Sequence, residues 1–149
     1  MSLELKINND IKSAMLAKDK LRLETLRSIK AGILLAKTAE KATEINEDFE
    51  IKMLQKMAKQ RKESAAIYTQ QNRTELAEKE LAEAAIIEEY LPQQLSEEEI
   101  TAVLKEIISS VGATSAKDMG KVMGVATKQL AGKADGRLIS ETVKKLLAE

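Results

Sequence analysis

The sequence predicts an all-α protein with two parts: an N-terminal helical domain of about four helices, 1–92, and a small three-helix C-terminal domain, 93–149. Apolar residues recur at positions i, i+3 and i+4 along most of the chain, which is the spacing of one helix face. The composition is 44% apolar and 32% charged, and only six glycines and one proline interrupt the helix-forming residues. That proline, Pro92, marks the boundary between the two parts.

The N-terminal domain is expected to contain four helices. The first helix has the apolar series Leu3, Ile7, Ile11 and Met15. The second extends from after Asp19 to about Lys37, with the apolar series Leu23, Leu26, Ile29, Ile33 and Leu34. The polar stretch 38–48 is predicted to be mostly loop. The third helix is expected from about Glu47 to Gln71 with the inner residues Ile51, Leu54, Ala58, Ala65 and Tyr68. The fourth begins at the cap Thr74, buries Leu76, Leu81, Ala84 and Ile87, and ends at Tyr90 and Leu91.

Capping signals predict three helices in the C-terminal domain. Ser96 and Glu99 form a capping box, and Gly112 is a typical C-terminal cap. The helix between them has the apolar face Ile100, Val103, Leu104, Ile107, Ile108 and Val111. A second helix is expected to start at Ser115 to Asp118, run to Leu130 and stop at Gly132. Asp135 is expected to cap the third, whose inner residues are Ile139, Val143, Leu146 and Leu147.

The residue types that are missing limit the chemistry. The chain has no cysteine and no histidine, which removes disulfides, thiolate nucleophiles and the commonest general base and metal ligand. We therefore expect no catalytic residue, no cofactor and no metal site. No stretch reaches the ~20 apolar residues that span a bilayer, and the N-terminus lacks the pattern of a signal peptide. These observations predict a soluble, unprocessed, cytoplasmic protein without a membrane partner.

The clearest functional pattern is a run of glycines and cations between residues 118 and 137. A glycine within a helix costs roughly 0.5–1 kcal/mol relative to alanine, so another contribution must offset it. On a helical wheel the lysines and one glycine share a side, opposite Met119, Val122, Met123, Ala126 and Leu130. Lys133 and Arg137 extend this side to the start of the last helix, where free amide groups favour anions. We predict a nucleic-acid-binding surface that consists of Lys117, Lys121, Gly124, Lys128, Lys133, Gly136 and Arg137.

An alternative explains the same run without a ligand. The lysines could form a solvated helix face, and Gly120 and Gly124 could allow neighbouring helices to pack closely. The pattern favours neither explanation, and the role of Gly120 stays open.

A second basic patch is predicted on the third helix, at Lys52, Lys56, Lys59 and Lys62. The stretch 75–99 contains nine glutamates and one lysine, Lys79. The alternative of internal pairing is favoured here, because the acidic fourth helix can fold back along the third. Such pairs contribute about 0–1 kcal/mol each when they are exposed.

Few aromatic residues are available for stacking on nucleobases. Phe49, Tyr68 and Tyr90 are the three aromatic side chains, and none lies in the basic C-terminal run. Proteins that bind single strands stack bases on aromatic platforms. If this chain binds nucleic acid, it is expected to bind a structured RNA or a duplex, and its two tyrosines are expected to be core anchors.

Several short motifs, taken in order, resemble the GatB/YqeY family. They extend from Asp19-Lys20-Leu21-Arg22 near the start to the end of the basic run, so the resemblance covers nearly the whole chain. Others include Lys59-Gln60-Arg61, Glu63-Ser64, Glu75-Leu76-Ala77, Tyr90-Leu91-Pro92, Leu95-Ser96, Gly120-Lys121-Val122-Met123-Gly124 and Gly132-Lys133-Ala134-Asp135-Gly136-Arg137.

The resemblance implies a helical domain followed by a three-helix domain, and it suggests a ligand. Related domains form the tail of the B subunit of the glutamine-dependent amidotransferase that corrects misacylated Glu-tRNA or Asp-tRNA. That tail contacts the tRNA elbow, and the chemistry takes place elsewhere in the enzyme. The leading expectation is therefore a non-catalytic tRNA-binding module. One alternative is a protein-interaction module for an aminoacyl-tRNA synthetase or an amidotransferase subunit. Another, implied by the family label alone, is a carbon–nitrogen ligase with glutamine as amide donor.

Overall fold

The computed structural model describes residues 2–39 and 45–148, and these residues form helices and connecting turns with no β-strand. The helices are α1 (Leu3–Leu16), α2 (Lys20–Thr38), α3 (Glu47–Gln70), α4 (Thr74–Glu88), α5 (Glu97–Val111), α6 (Met119–Gln129) and α7 (Gly136–Ala148), and a 3-10 turn at Ala116–Asp118 precedes α6. The all-α prediction is confirmed. Of the predicted loop 38–48, residues 40–44 lie outside the described residues.

The helix ends follow from local side-chain chemistry. Asp19 accepts a hydrogen bond from the Arg22 amide at the start of α2, and the capping box of Ser96 and Glu99 opens α5 as predicted. Gly112 ends α5 with a φ of 69°, a left-handed conformation that glycine adopts without strain. The prediction for Thr74 is wrong, because Arg73 occupies the cap position of α4 and no side chain caps that helix.

The chain divides into two compact units, Met1–Leu91 and Pro92–Glu149. The division falls at the proline. The prediction that 1–92 and 93–149 are domains also implies that each part folds independently, and it stays a prediction.

The N-terminal unit contains α1 to α4 around one apolar core. Leu26 and Ile29 of α2, Leu54 of α3 and Ile87 of α4 are almost completely buried in it. The phenol of Tyr90 lies at its edge and donates a hydrogen bond to the Asp10 carboxylate of α1. Burial, followed by this hydrogen bond, raises the pKa of Tyr90.

Four of the predicted core residues of this unit are exposed. They are Met15, Leu34, Leu76 and Leu81, whose exposed fractions range from 41% to 54%. Leu76 and Leu81 belong to α4, which instead buries Ala77, Glu83, Ala84, Ile86 and Ile87. The buried face of α4 therefore differs from the predicted one. Small alanines and a charged group, rather than leucines, pack against α3.

The C-terminal unit packs α5, α6 and α7 around a second core. Leu104 of α5, Val122 and Ala126 of α6 and Val143 of α7 have no measurable exposure. Hydrogen bonds join the segment that precedes α5 to the turn between α6 and α7. Gln94 Nε2 donates to the Gly132 carbonyl at 2.6 Å, and the Leu95 amide donates to the Lys133 carbonyl at 3.0 Å.

Candidate functional site

Helix α6 separates the predicted basic face from the core. Val122 and Ala126 are buried against α5 and α7, whereas Lys121, Gly124 and Lys128 are exposed on the other side. The two lysines form no ion pair within the described part of the chain. Their ammonium groups are therefore available to an anionic partner.

The exposed side of α6 contains a shallow depression of about 610 Å³. We call it the basic depression, and its lining residues are Gly120, Lys121, Gly124, Val125, Lys128 and Gln129. A Cβ atom added to Gly120 or Gly124 would meet no described atom within 4 Å. Close packing of a neighbouring helix within the described residues therefore does not explain these two glycines.

Sequence reasoning missed two residues of this depression, Val125 and Gln129. Val125 is 40% exposed and gives the depression an apolar element between the two lysines. A signal was present in the sequence, because a valine directly after Gly124 falls on the otherwise polar side of the helical wheel.

The start of α6 is stabilised by Asp118. Its Oδ2 atom accepts hydrogen bonds from the backbone amides of Thr114 at 2.9 Å and Ser115 at 3.4 Å. These bonds, more than the nearby charge of Lys121, lower the pKa of the Asp118 carboxyl group. Lys117, in the 3-10 turn just before Asp118, is exposed as predicted for a binding residue.

The three predicted residues at the turn between α6 and α7 are also exposed: Lys133, Gly136 and Arg137. Arg137 Nε lies 3.1 Å from Glu141 Oε1 one turn along α7, and both side chains are largely exposed. The structure thus brings Lys121, Gly124 and Lys128 together in one depression. It shows no contact that joins the turn residues or Lys117 to that depression.

The second basic patch is partly engaged within the fold. Helices α3 and α4 pack along each other, and Lys62 forms an ion pair with Glu88. Lys59 is exposed and interacts with another residue. Lys52 and Lys56 are exposed and form no ion pair with a described residue. The internal-pairing alternative therefore accounts for Lys62.

No group of three acidic, histidine or cysteine side chains in ranges 2–39 and 45–148 is arranged to hold a metal ion. In the same ranges, no helix combines the length and the apolar character that crossing a bilayer requires.

The fold and this surface define a class: all-α proteins with two helical units, the second of which exposes lysines and glycines on one helix. The chain belongs to the Yqey-like protein family, whose family model matches residues 4–147. The resemblance recognised from the sequence motifs is thereby confirmed.

Curated relatives come from fungi, and each bears the name altered inheritance of mitochondria protein 41, mitochondrial. The chain is 38% identical to the protein of Meyerozyma guilliermondii over 124 residues, which are 80% of this chain and 64% of that protein. It is 30% identical to the Kluyveromyces lactis protein, over 93% of this chain and 72% of the relative. The Clavispora lusitaniae protein is 36% identical, over 81% and 69%.

The expectation of a cytoplasmic protein is contradicted, because these relatives are named as mitochondrial proteins. The expectation relied on the absence of cysteine and of a secretory signal. Cysteine usage indicates whether disulfides form, and it does not distinguish one reducing compartment from another. The chain spans about two thirds of the length of the Meyerozyma protein.

Proposed function

We propose that this protein is a non-catalytic tRNA-binding module whose C-terminal unit contacts folded tRNA. One observation carries the proposal: the basic depression, in which Lys121 and Lys128 flank open backbone at Gly120 and Gly124. The helix can approach a sugar-phosphate strand closely at the glycines while the ammonium groups neutralise phosphates. The resemblance to the tail of an amidotransferase B subunit, which the sequence motifs imply, supports tRNA as the RNA.

The predicted residues outside the depression have supporting roles in this proposal. Lys117, Lys133 and Arg137 are exposed cations that extend the positive surface. Gly136 is the first residue of α7, where backbone amides favour a phosphate, although the Arg137 amide already donates to Asp135 Oδ1 at 3.4 Å. The chain offers no aromatic side chain in this unit, so contacts to the RNA backbone and shape would provide most of the affinity.

A titration of deacylated tRNA at two salt concentrations tests the proposal. If about four phosphates are neutralised, the logarithm of the affinity falls with the logarithm of salt with a slope of roughly −3 to −4 between 50 and 200 mM. An RNA duplex of the same size is the control for shape, and we expect it to bind more weakly. Binding that is independent of salt would contradict the proposal.

A charge-reversed variant locates the contact. The double variant Lys121→Glu and Lys128→Glu is expected to abolish binding. The matched control is Lys12→Glu and Lys105→Glu, which changes the net charge equally at two exposed lysines outside the predicted surface. Equal loss of affinity in both variants would show a general charge effect and no defined site.

The protein-interaction alternative relied on the acidic segment 75–99, and the structure gives that segment internal partners. Glu80 and Glu83 face Arg61, Glu88 faces Lys62 and Glu89 faces Arg22. These glutamates are therefore less available to an external basic surface. The ligase alternative is tested by ATP- and glutamine-dependent amide formation with the purified chain alone, which we expect to be absent.

A further inference from the structure

A groove in the N-terminal unit has no role in the proposed tRNA contact. It has a volume of about 490 Å³ and lies between α2 and α3, and we call it the α2–α3 groove. Its lining residues are Ser28 of α2 and Met57, Gln60, Arg61, Glu63, Ser64 and Ile67 of α3. The helices approach each other at Gly32, where an added Cβ would lie 3.3 Å from Met53 Sδ. The groove opens one turn earlier along α2.

Arg61 lines this groove and forms ion pairs with two glutamates of α4. Its Nη1 atom lies 3.0 Å from Glu83 Oε2 and 3.4 Å from Glu80 Oε2, and its Nη2 atom reaches Ser28 Oγ at 3.4 Å. One guanidinium therefore faces two carboxylates. The cluster has one negative charge that no described cation in it compensates.

Glu83 makes this imbalance more costly. The residue is 7% exposed, and its Oε2 atom accepts no hydrogen bond with acceptable geometry from any described residue, although Arg61 lies 3.0 Å away. Buried carboxylate oxygens in native proteins are normally hydrogen-bonded, and a buried ion pair is stabilising only when its remaining lone pairs are satisfied. The cluster is therefore electrostatically incomplete.

A third carboxylate stands at the groove itself. Glu63 lines it, is exposed, and forms no ion pair within the described ranges. Arg61 and Glu63 line the groove, and Glu80 and Glu83 face Arg61, so these four side chains carry a net negative charge that favours a cation in the groove. Lys56, one turn before Gln60 on α3, opposes this attraction. It is exposed and does not line the groove, so water screens its charge more strongly.

The walls of the groove suit an aliphatic chain that ends in a charged group. Met57 and Ile67 provide apolar surface, and Ser64 and Gln60 provide oxygen acceptors. Long basic side chains pack their methylene stems on apolar surface and direct the charged group to acceptors.

We propose that the α2–α3 groove binds an arginine or lysine side chain of a partner protein. The cationic group lies near Glu63 and the Arg61 cluster, and the stem packs on Met57 and Ile67. The groove is open, so the partner's backbone stays outside while the side chain enters. The proposal is independent of tRNA binding, because all its residues belong to the N-terminal unit.

Methyl NMR on the full chain tests the proposal with N-acetyl-arginine amide as the probe. We expect this compound to shift the methyl signals of Met57 and Ile67 at millimolar concentrations, and increasing salt to reverse the shifts. N-acetyl-citrulline amide has the same shape without the charge, and we expect it to leave both signals in place. Shifts of equal size with both compounds, or no shift with either, would overturn the proposal.

Three variants determine the sign of the electrostatics. Glu63→Gln is expected to weaken probe binding about threefold to fivefold, and Lys56→Gln to strengthen it about twofold. Glu106→Gln makes the same charge change at an exposed position of α5 and is expected to have no effect. Stronger probe binding in Glu63→Gln together with weaker binding in Lys56→Gln would show that the groove prefers anions and would overturn the proposal.

Discussion

The two units use their charged residues differently. In the N-terminal unit, ion pairs join different helices: Lys37 of α2 to Glu4 of α1, Lys79 of α4 to Glu24 of α2, and Arg61 of α3 to two glutamates of α4. In the C-terminal unit, Arg137 and Glu141 form an ion pair within a single helix. Charge in the first unit thus helps to set the register between helices, whereas lysines of the second are directed to solvent.

The C-terminal core and the interface of α3 and α4 differ in the same sense. The C-terminal core combines isoleucine, leucine and valine from all three helices with small alanines. The interface of α3 and α4 in the N-terminal unit buries alanines beside a glutamate and an arginine. The described residues of the C-terminal core include no charged side chain, so the lysines of α6 are free from pairing with a buried carboxylate. That freedom is what a binding surface requires.

The largest expected effect tests whether the units unfold separately. Leu104 is fully buried in the small C-terminal unit, so Leu104→Ala should lower its free energy of unfolding by about 2–5 kcal/mol. Urea unfolding is followed by far-UV circular dichroism, which detects both units, and by tyrosine fluorescence. Both tyrosines, Tyr68 and Tyr90, lie in the N-terminal unit. We expect Leu104→Ala to shift the part of the dichroism transition that belongs to the C-terminal unit. The fluorescence transition, which reports the N-terminal unit, should stay in place.

The matched control is Leu26→Ala, which removes an equally buried side chain from the N-terminal core. It should shift the fluorescence transition instead. A single transition that both variants shift equally would show that the chain unfolds as one unit.

The second prediction compares an internal ion pair with a surface one. Arg61→Ala leaves Glu83 buried without its partner and should lower the free energy of unfolding by about 2–3 kcal/mol. Adding Glu83→Gln should recover part of this loss. Arg137→Ala, which removes an exposed pair, should cost less than about 0.5 kcal/mol. Equal losses for the two arginines in urea titrations would remove the distinction between the units.

The third prediction concerns Tyr90. Tyr90→Phe removes the hydrogen bond to Asp10 and should lower the free energy of unfolding by about 1–2 kcal/mol at neutral pH. The pKa of this tyrosine is raised in the folded state, so its stabilising effect is fully present below the ordinary pKa of 10.0 and is lost as the pH rises above it. Urea midpoints from neutral pH to about pH 11 should therefore fall more steeply for the wild type than for the variant.

The smallest effect has the opposite sign and separates stability from binding. Gly124→Ala places a methyl group in open space on α6, so it should stabilise the C-terminal unit by about 0.5–1 kcal/mol. The same methyl group should weaken tRNA binding, because it obstructs the close approach that we propose. Gly32→Ala should gain less stability, since Met53 Sδ must move, and should leave tRNA binding unchanged. Unchanged tRNA affinity in Gly124→Ala would contradict the role of the glycine.

The helix ends could be predicted from local chemistry. The contacts between helices were harder to predict. Ser96, Asp19 and Gly112 define helix ends through hydrogen bonds and backbone conformation within a few residues, so the sequence contains that information. The burial of α4 depends on its partner. Leu76 and Leu81 are exposed because alanines and Glu83 pack against α3, and no periodicity within α4 shows that Arg61 lies opposite.

The candidate site was predictable to a similar depth. The separation of Val122 and Ala126 from Lys121 and Lys128 follows from helical periodicity alone. Whether Gly120 had a neighbour could not be decided from one helix, since that depends on how α5 and α7 pack around α6. The α2–α3 groove was missed for the same reason: Ser28 and Arg61 are distant in sequence and meet only in the fold.

The space around the glycines also predicts how this protein tolerates random substitution. Saturation mutagenesis that selects only for folding should accept many residues at positions 120 and 124, since no described atom crowds either one. Position 32 should tolerate few, because a side chain there meets two methionine sulfurs. If a selection for cell growth then rejects substitutions at 120 and 124, these glycines are required for the function of the protein and not for its folding.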